Sequence, residues 1–193
     1  MTKNIMIVGV GGQGTLLASR ILGNAVIALG KDVKVSEVHG MSQRGGSVVT
    51  YVKFGDKVYS PVIDKGEADI VLAFELLEAY RALPFVKEGG KMILNSQKID
   101  PMPVITGAAQ YPSDIEKKIA EKVDLTAVPA LELAEKAGNA RAVNVVLIGV
   151  MAKNTDIPYE HWVETIKKTV PAKFLDVNLA AFDLGFNCRE IEF

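Results

Sequence analysis

The residues with the greatest chemical capacity sit in two glycine-rich segments near the start of the chain. The first is Gly9-Val10-Gly11-Gly12-Gln13-Gly14, directly behind the apolar run Ile5-Met6-Ile7-Val8. Bare backbone here lets a phosphate-bearing ligand approach the main chain. A helix starting beyond it would add N–H groups and a partial positive end. Glu37, at the end of the next apolar run, is placed to bond a ribose hydroxyl, as a dinucleotide site requires. The same glycines also suit a fold without any ligand, because they let a strand turn tightly into a helix.

The second segment is His39-Gly40-Met41-Ser42-Gln43-Arg44-Gly45-Gly46, behind Val33 to Val38. Gly40, Gly45 and Gly46 make the loop around Ser42, Gln43 and Arg44 entropically costly to order. Such a cost is more often tolerated where a ligand or partner must reach the backbone; a solvated surface loop is the plain alternative. Arg44 carries the forked donors that bind a carboxylate or phosphate. His39 could act as an acid or base, but no second catalytic partner accompanies it, which favours a structural or interface role.

Other candidates are weaker. Glu75 and Glu78 follow an apolar run and open a helix, where acids are favoured by the dipole alone. Asn144 interrupts an apolar helix, and a buried amide needs partners, so it is expected to bond a neighbouring loop. His161 and Cys188 carry no signal. No Ser-His-Asp order and no metal-ligand spacing stands out, so neither a catalytic set nor a metal site is expected. Two facts count against a nicotinamide enzyme: there is no clean second mononucleotide half, and no hydride-transfer acid or base beyond one histidine.

The elements that must position these residues alternate strand and helix. Residues 4–9 predict a buried strand, 13–29 a helix with Leu16, Leu17, Ile21, Leu22, Ala25 and Leu29 on one stripe, and 32–38 a second strand. Joined through a helix, the two strands are expected to be adjacent and parallel, with both glycine loops at one edge of the sheet. Residues 48–54 alternate at period two, and Val58-Tyr59-Ser60 reads as their antiparallel hairpin partner after a turn at Gly55-Asp56-Lys57. Strands at 69–74, 91–95 and 125–128 follow, with a helix over 75–85 and a turn at Lys87 to Gly90. Val104-Ile105 reads as extended. Ser113 with Glu116 reads as a capping box for a helix to Val123. The last third is helical: 130–137, 141–153, 158–168 and 171–185. This predicts an α/β, Rossmann-like, mostly parallel sheet with an inserted β-hairpin and a helical C-terminal third, one domain over 1–193.

Composition excludes several classes. The 193 residues carry a net charge of −1, with no basic cluster beyond the pairs Lys117-Lys118 and Lys167-Lys168, which gives nucleic-acid binding little electrostatic support. A single cysteine cannot form an internal disulfide, an iron–sulfur cluster or a thiolate zinc site. The longest apolar stretch, 142–152, falls short of the roughly 20 residues of a membrane span, and Met1 to Asn4 leave no room for a leader. A cytoplasmic protein without membrane or nucleic-acid partners is expected.

Taken together, the Gly9–Gly14 turn, the His39–Gly46 segment, Tyr59-Ser60-Pro61, Ala68 to Glu75 and Gly138-Asn139-x-Arg141-x-x-Asn144 resemble the gamma-type component of 2-oxoacid:ferredoxin oxidoreductases. The resemblance spans essentially the whole chain. The Gly-Gly-Gln-Gly turn followed by Arg-Gly-Gly is its most specific part, and His-Gly-Met-Ser-Gln before Arg44 is similar to the indolepyruvate branch. The resemblance implies a complex that decarboxylates a 2-oxoacid on thiamine diphosphate with Mg, passes electrons through 4Fe-4S clusters to ferredoxin, and releases an acyl-coenzyme A. Those cofactors are then expected on a large partner subunit, with none bound by this chain alone. Ligand or partner contacts are expected at Gly9, Gly11, Gly12, Gln13, Gly14, Glu37, His39, Ser42, Gln43, Arg44, Gly45, Gly46 and Asn144, and helix 141–153 with loop 39–46 as the docking surfaces. The competing expectation is a stand-alone NAD- or FAD-binding oxidoreductase, or a nucleotide-binding module without chemistry.

Overall fold

A six-stranded sheet separates two helical layers in the computed structural model, which describes residues 2–40 and 45–188. In chain order the elements are β1 (Lys3–Val10), α1 (Thr15–Ala28), β2 (Asp32–His39), β3 (Ser47–Gly55), β4 (Ala68–Ala73), α2 (Leu76–Ala82), β5 (Val86–Asn95), α3 (Met102–Ile105), α4 (Ile115–Ala120), β6 (Asp124–Val128), α5 (Ala130–Lys136), α6 (Val143–Lys153), α7 (Tyr159–Thr169) and α8 (Leu175–Phe186). The strands lie in the order β2-β3-β1-β4-β5-β6. β3 is antiparallel to both its neighbours, and the pairs β1–β4, β4–β5 and β5–β6 are parallel. The α/β class with a mostly parallel sheet and a helical C-terminal part is therefore the fold observed.

One core joins α1, α6, α7 and α8 to one face of the sheet through Ile5, Ile7, Leu72 and Ile93. The other packs α2 and α4 on the opposite face through Met6, Val8, Val71 and Leu94. The alternation of these neighbours along β1 and β4 is the period-two signature of strands buried on both sides.

Four expectations are corrected. β1 and β2 point the same way but are not adjacent, because β3 lies between them. A short loop suffices for antiparallel neighbours, so β3 folds back onto β2 directly; parallel neighbours would need a crossover. The inserted hairpin is thus β2–β3, and Val58-Tyr59-Ser60 forms no strand. Val104 and Ile105 belong to the one-turn helix α3. Ser113 does not cap α4: the cap is Asp114 in the left-handed region at φ 54°, with no side-chain hydrogen bond to the helix. The turn at Lys87 to Gly90 survives as an irregularity inside β5, where the register jumps between Ala68/Val86 and Ile70/Lys91.

Candidate functional site at the carboxyl edge of the sheet

β1, β2, β4, β5 and β6 all end at one edge of the sheet, and β3 begins there. The first glycine segment closes β1 with a turn built around Gln13. Its side-chain Oε1 accepts from the Val10 amide at 2.7 Å, and its Nε2 donates to the Phe74 carbonyl at 3.0 Å. Gln13 thereby clamps the turn onto the end of β4, which is a structural task. Gly9 has no space for a side chain: a Cβ would lie 2.9 Å from Gln13 Oε1 and 3.0 Å from Phe74 Cβ. Gly12 and Gly14 have φ of 100° and 83°, a conformation that favours glycine. Asn144 reaches this turn as expected, donating from Nδ2 to the Gly14 carbonyl at 3.2 Å.

The two glycine segments touch. The Gly11 amide donates to the Gly46 carbonyl at 2.9 Å, and the Gly40 amide to the Ser47 carbonyl at 2.9 Å. Ser47 Oγ donates to the nearly buried Glu78 at 2.5 Å, which also accepts from Arg81 Nη1 at 2.5 Å. Gly46 is therefore held against the first turn, and Ser47 beside it is fixed from two sides. Ser42, Gln43 and Arg44 lie outside the described residues.

Glu37 and His39 stand apart from the turn. The sheet register puts Ile7, Thr50 and Glu37 in one row and Gly9, Val48 and His39 two rows further on, on the same face. Glu37 accepts from Thr50 Oγ1 at 2.8 Å and pairs with His39 Nε2 at 2.8 Å. Two strand spacings, about 10 Å, separate it from β1. A ribose held over the glycine turn would need that acid on the adjacent strand, so the dinucleotide geometry is not formed.

An open cavity of about 560 Å³ lies over the turn, lined among others by Gly12, Gly14, Gln97, Arg141 and Val143. The N-terminus of α1 faces this edge with no side-chain cap, which leaves first-turn N–H groups for an anion. Arg141 is exposed on the opposite wall and has no acid partner among the described residues. Asn139 fixes the backbone there, its Oδ1 accepting from the Arg141 amide at 2.9 Å. Arg141 entered the sequence reading only as part of the Gly138-Asn139-x-Arg141-x-x-Asn144 motif and not as a contact candidate, although it sits three residues before Asn144, a spacing that puts both on one helix face. Gln97 was missed because its place depends on Glu75. That buried carboxylate caps α2 through the Leu77 and Glu78 amides at 2.7 and 3.0 Å. It also accepts from the Ile99 amide at 3.0 Å and from Tyr111 Oη at 2.5 Å, pinning the excursion between β5 and α4. Burial, then the bond to Glu75, pushes the Tyr111 phenol well above its ordinary range.

Among the described residues the arrangement offers anion-binding backbone and the Arg141 cation, but no nucleophile–base pair. No group of three or more His, Cys, Asp or Glu side chains among the described residues could hold a metal ion. An iron–sulfur cluster needs several thiolates, and the chain has one cysteine, so these residues do not fit one.

A glycine turn at the carboxyl edge of a mostly parallel sheet defines a Rossmann-like α/β protein. The model of the pyruvate ferredoxin/flavodoxin oxidoreductase family matches residues 4–188, and the chain belongs to that family. It is 46% identical over 188 residues to the indolepyruvate oxidoreductase subunit IorB of Pyrococcus horikoshii, covering 94% of this chain and 93% of that one. It is 30% identical over 186 residues to the ketoisovalerate oxidoreductase subunit VorA of Methanothermobacter marburgensis, covering 94% of this chain but 35% of that one. The gamma subunit of the keto/oxoacid ferredoxin oxidoreductase of Geobacter sulfurreducens superposes with a TM-score of 0.71 at 25% identity, over 95% of this chain and 96% of that one. The chain is a small, gamma-type subunit of a 2-oxoacid:ferredoxin oxidoreductase, a component of thiamine- and iron–sulfur-dependent complexes. No helix among the described residues is long and apolar enough to cross a membrane.

Proposed function

We propose that this chain is the small subunit of an indolepyruvate:ferredoxin oxidoreductase and folds as one domain over 1–193. A larger cytoplasmic partner holds thiamine diphosphate, Mg and the 4Fe-4S clusters, converts an aryl pyruvate to its acyl-coenzyme A, and reduces ferredoxin. The observation that carries this reading is the 46% identity to an indolepyruvate oxidoreductase subunit of nearly the same length. The lone Cys188 supports the division of labour, because cluster ligands must come from another chain.

Within this reading the chain's own contribution is a surface. The cavity between the Gly12–Gly14 turn and Arg141 offers amide donors and a guanidinium to the phosphates of coenzyme A. Gly46 lies against the same turn, its carbonyl accepting from the Gly11 amide. His39 and Glu37 belong to the partner-facing rim. Helix α6 has no such role: ten of its eleven residues are buried inside this chain, which removes it as a docking surface.

The test is reconstitution with a large oxidoreductase subunit from the same source. The pair should reduce ferredoxin with indolepyruvate and coenzyme A in preference to pyruvate or 2-oxoglutarate, and either chain alone should not. Arg141→Glu in the assembled pair should raise the KM for coenzyme A about tenfold or more with little change for the oxoacid. A preference for another oxoacid would overturn the substrate assignment. A flavin or nicotinamide held by the small chain alone, with turnover, would overturn the whole reading.

A further inference from the structure

The side-chain amide of Gln97, on the wall of the carboxyl-edge cavity, is locked in one orientation. The lock starts from two backbone groups, one at the end of β1 and one just past β4. The Val10 amide can only donate, so the Gln13 atom that meets it at 2.7 Å is the oxygen, and Gln13 Nε2 is left to donate to the Phe74 carbonyl at 3.0 Å. Asn95 meets the same carbonyl at 3.0 Å and therefore presents its Nδ2. Both donors also reach one atom of Gln97, Gln13 Nε2 at 3.4 Å and Asn95 Nδ2 at 3.3 Å. That atom has to be Oε1, since an NH2 group there would face two others. The main chain is fixed as well, the Gln97 carbonyl accepting from the Leu76 amide at 3.1 Å. With its oxygen engaged on the protein side, Gln97 is left with Nε2, which is not buried and has no partner among the described residues. The Gly12 and Gly14 amides on the same lining are also without a partner among those residues.

We propose that Gln97 is a specificity-determining residue of this cavity, its Nε2 donating to a phosphate oxygen of coenzyme A beside the glycine amides and the Arg141 guanidinium. An amide free to turn over would accept as readily as it donates. One fixed as a donor favours a group that only accepts, such as a phosphate, and leaves an ammonium or amide N–H unmatched. Gln13 and Asn95 hold that donor in place before the ligand arrives, so little ordering cost falls on binding. The inference rests on the proposed coenzyme A site between the Gly12–Gly14 turn and Arg141.

The experiment uses the assembled complex with the large subunit and follows ferredoxin reduction with coenzyme A as the varied substrate. Gln97→Met keeps the length of the side chain and loses the donor, and should raise the KM for coenzyme A about tenfold. Gln97→Glu keeps one oxygen for Gln13 and Asn95 and turns a second, charged one towards the phosphate, and should raise it about thirtyfold or more. In both variants kcat at saturating coenzyme A and the KM for the oxoacid should stay within about twofold of wild type, a split that a misfolded small subunit would not give. If Arg141→Glu raises the KM for coenzyme A while both Gln97 variants leave it unchanged, the Gln97 assignment falls and the cavity stands. An effect of Gln97→Glu no larger than that of Gln97→Met would overturn the phosphate contact. If none of the three variants changes the KM for coenzyme A, the cavity is not its site, and the proposed site and the Gln97 contact fall together.

Discussion

Gly12 and Gly14 share a left-handed backbone but differ in what surrounds them. A Cβ on Gly12 meets nothing within 4 Å, whereas one on Gly14 lies 2.7 Å from Asn144 Nδ2. Gly12→Ala should therefore cost only backbone strain, about 1 kcal/mol, and Gly14→Ala about 2 kcal/mol or more because Asn144 must also move. Urea unfolding of both variants checks this, and equal losses would mean that the Asn144 contact contributes nothing. Tyr159 supplies a pH prediction. Its bond to the Asp183 carboxylate, more than burial, pushes the phenol up to about 12. A group raised in the fold holds its proton more tightly there, so its contribution is complete below about pH 10 and is lost as pH rises towards 12. Tyr159→Phe should flatten the fall in stability between pH 10 and 12, measured by urea unfolding across that range.

Packing of α6 on α8 is the most demanding contact between elements. Gly149 and Gly185 face each other's helices so closely that a Cβ on Gly185 would overlap the Val146 carbonyl, and one on Gly149 the Phe182 carbonyl. Backbone cannot yield as a flexible side chain can. Gly185→Ala should cost about 3 kcal/mol or prevent folding. Gly23 in α1 gives the contrast: a Cβ there meets nothing within 4 Å, and Gly23→Ala should gain about 0.5–1 kcal/mol from helix propensity. Thermal melts of the two variants should move in opposite directions. Glu75 works at the same scale, since one carboxylate both starts α2 and fixes the excursion that brings Gln97 to the cavity.

For the whole molecule, sheet order decides between a cofactor enzyme and a subunit. With β3 between β1 and β2, the acid at Glu37 cannot serve a ribose over the glycine turn. The isolated chain should show no micromolar NADH binding by fluorescence titration, and Glu37→Ala should leave that result unchanged. Saturable binding abolished by Glu37→Ala would restore the dinucleotide reading. The net charge of −1 supplies no strong overall field to steer a partner.

Local pattern alone determined the parts of this protein whose cause is local. The turn at Gly9 to Gly14 with its strand and helix, the strands at β4 and β6, and the proline- and glycine-bounded C-terminal helices follow from period and backbone freedom within a few residues. The motifs quoted from both glycine segments were likewise enough to place the chain in its family. Tertiary structure decided which strands are neighbours, because pairing depends on which free edge a later segment reaches, and β3 reached the one that β2 was expected to occupy. It also decided that α6 is core and not a docking face. A helix apolar on all sides needs cover on all sides, and only the approach of α8, permitted by Gly149 and Gly185, shows that this chain provides that cover itself.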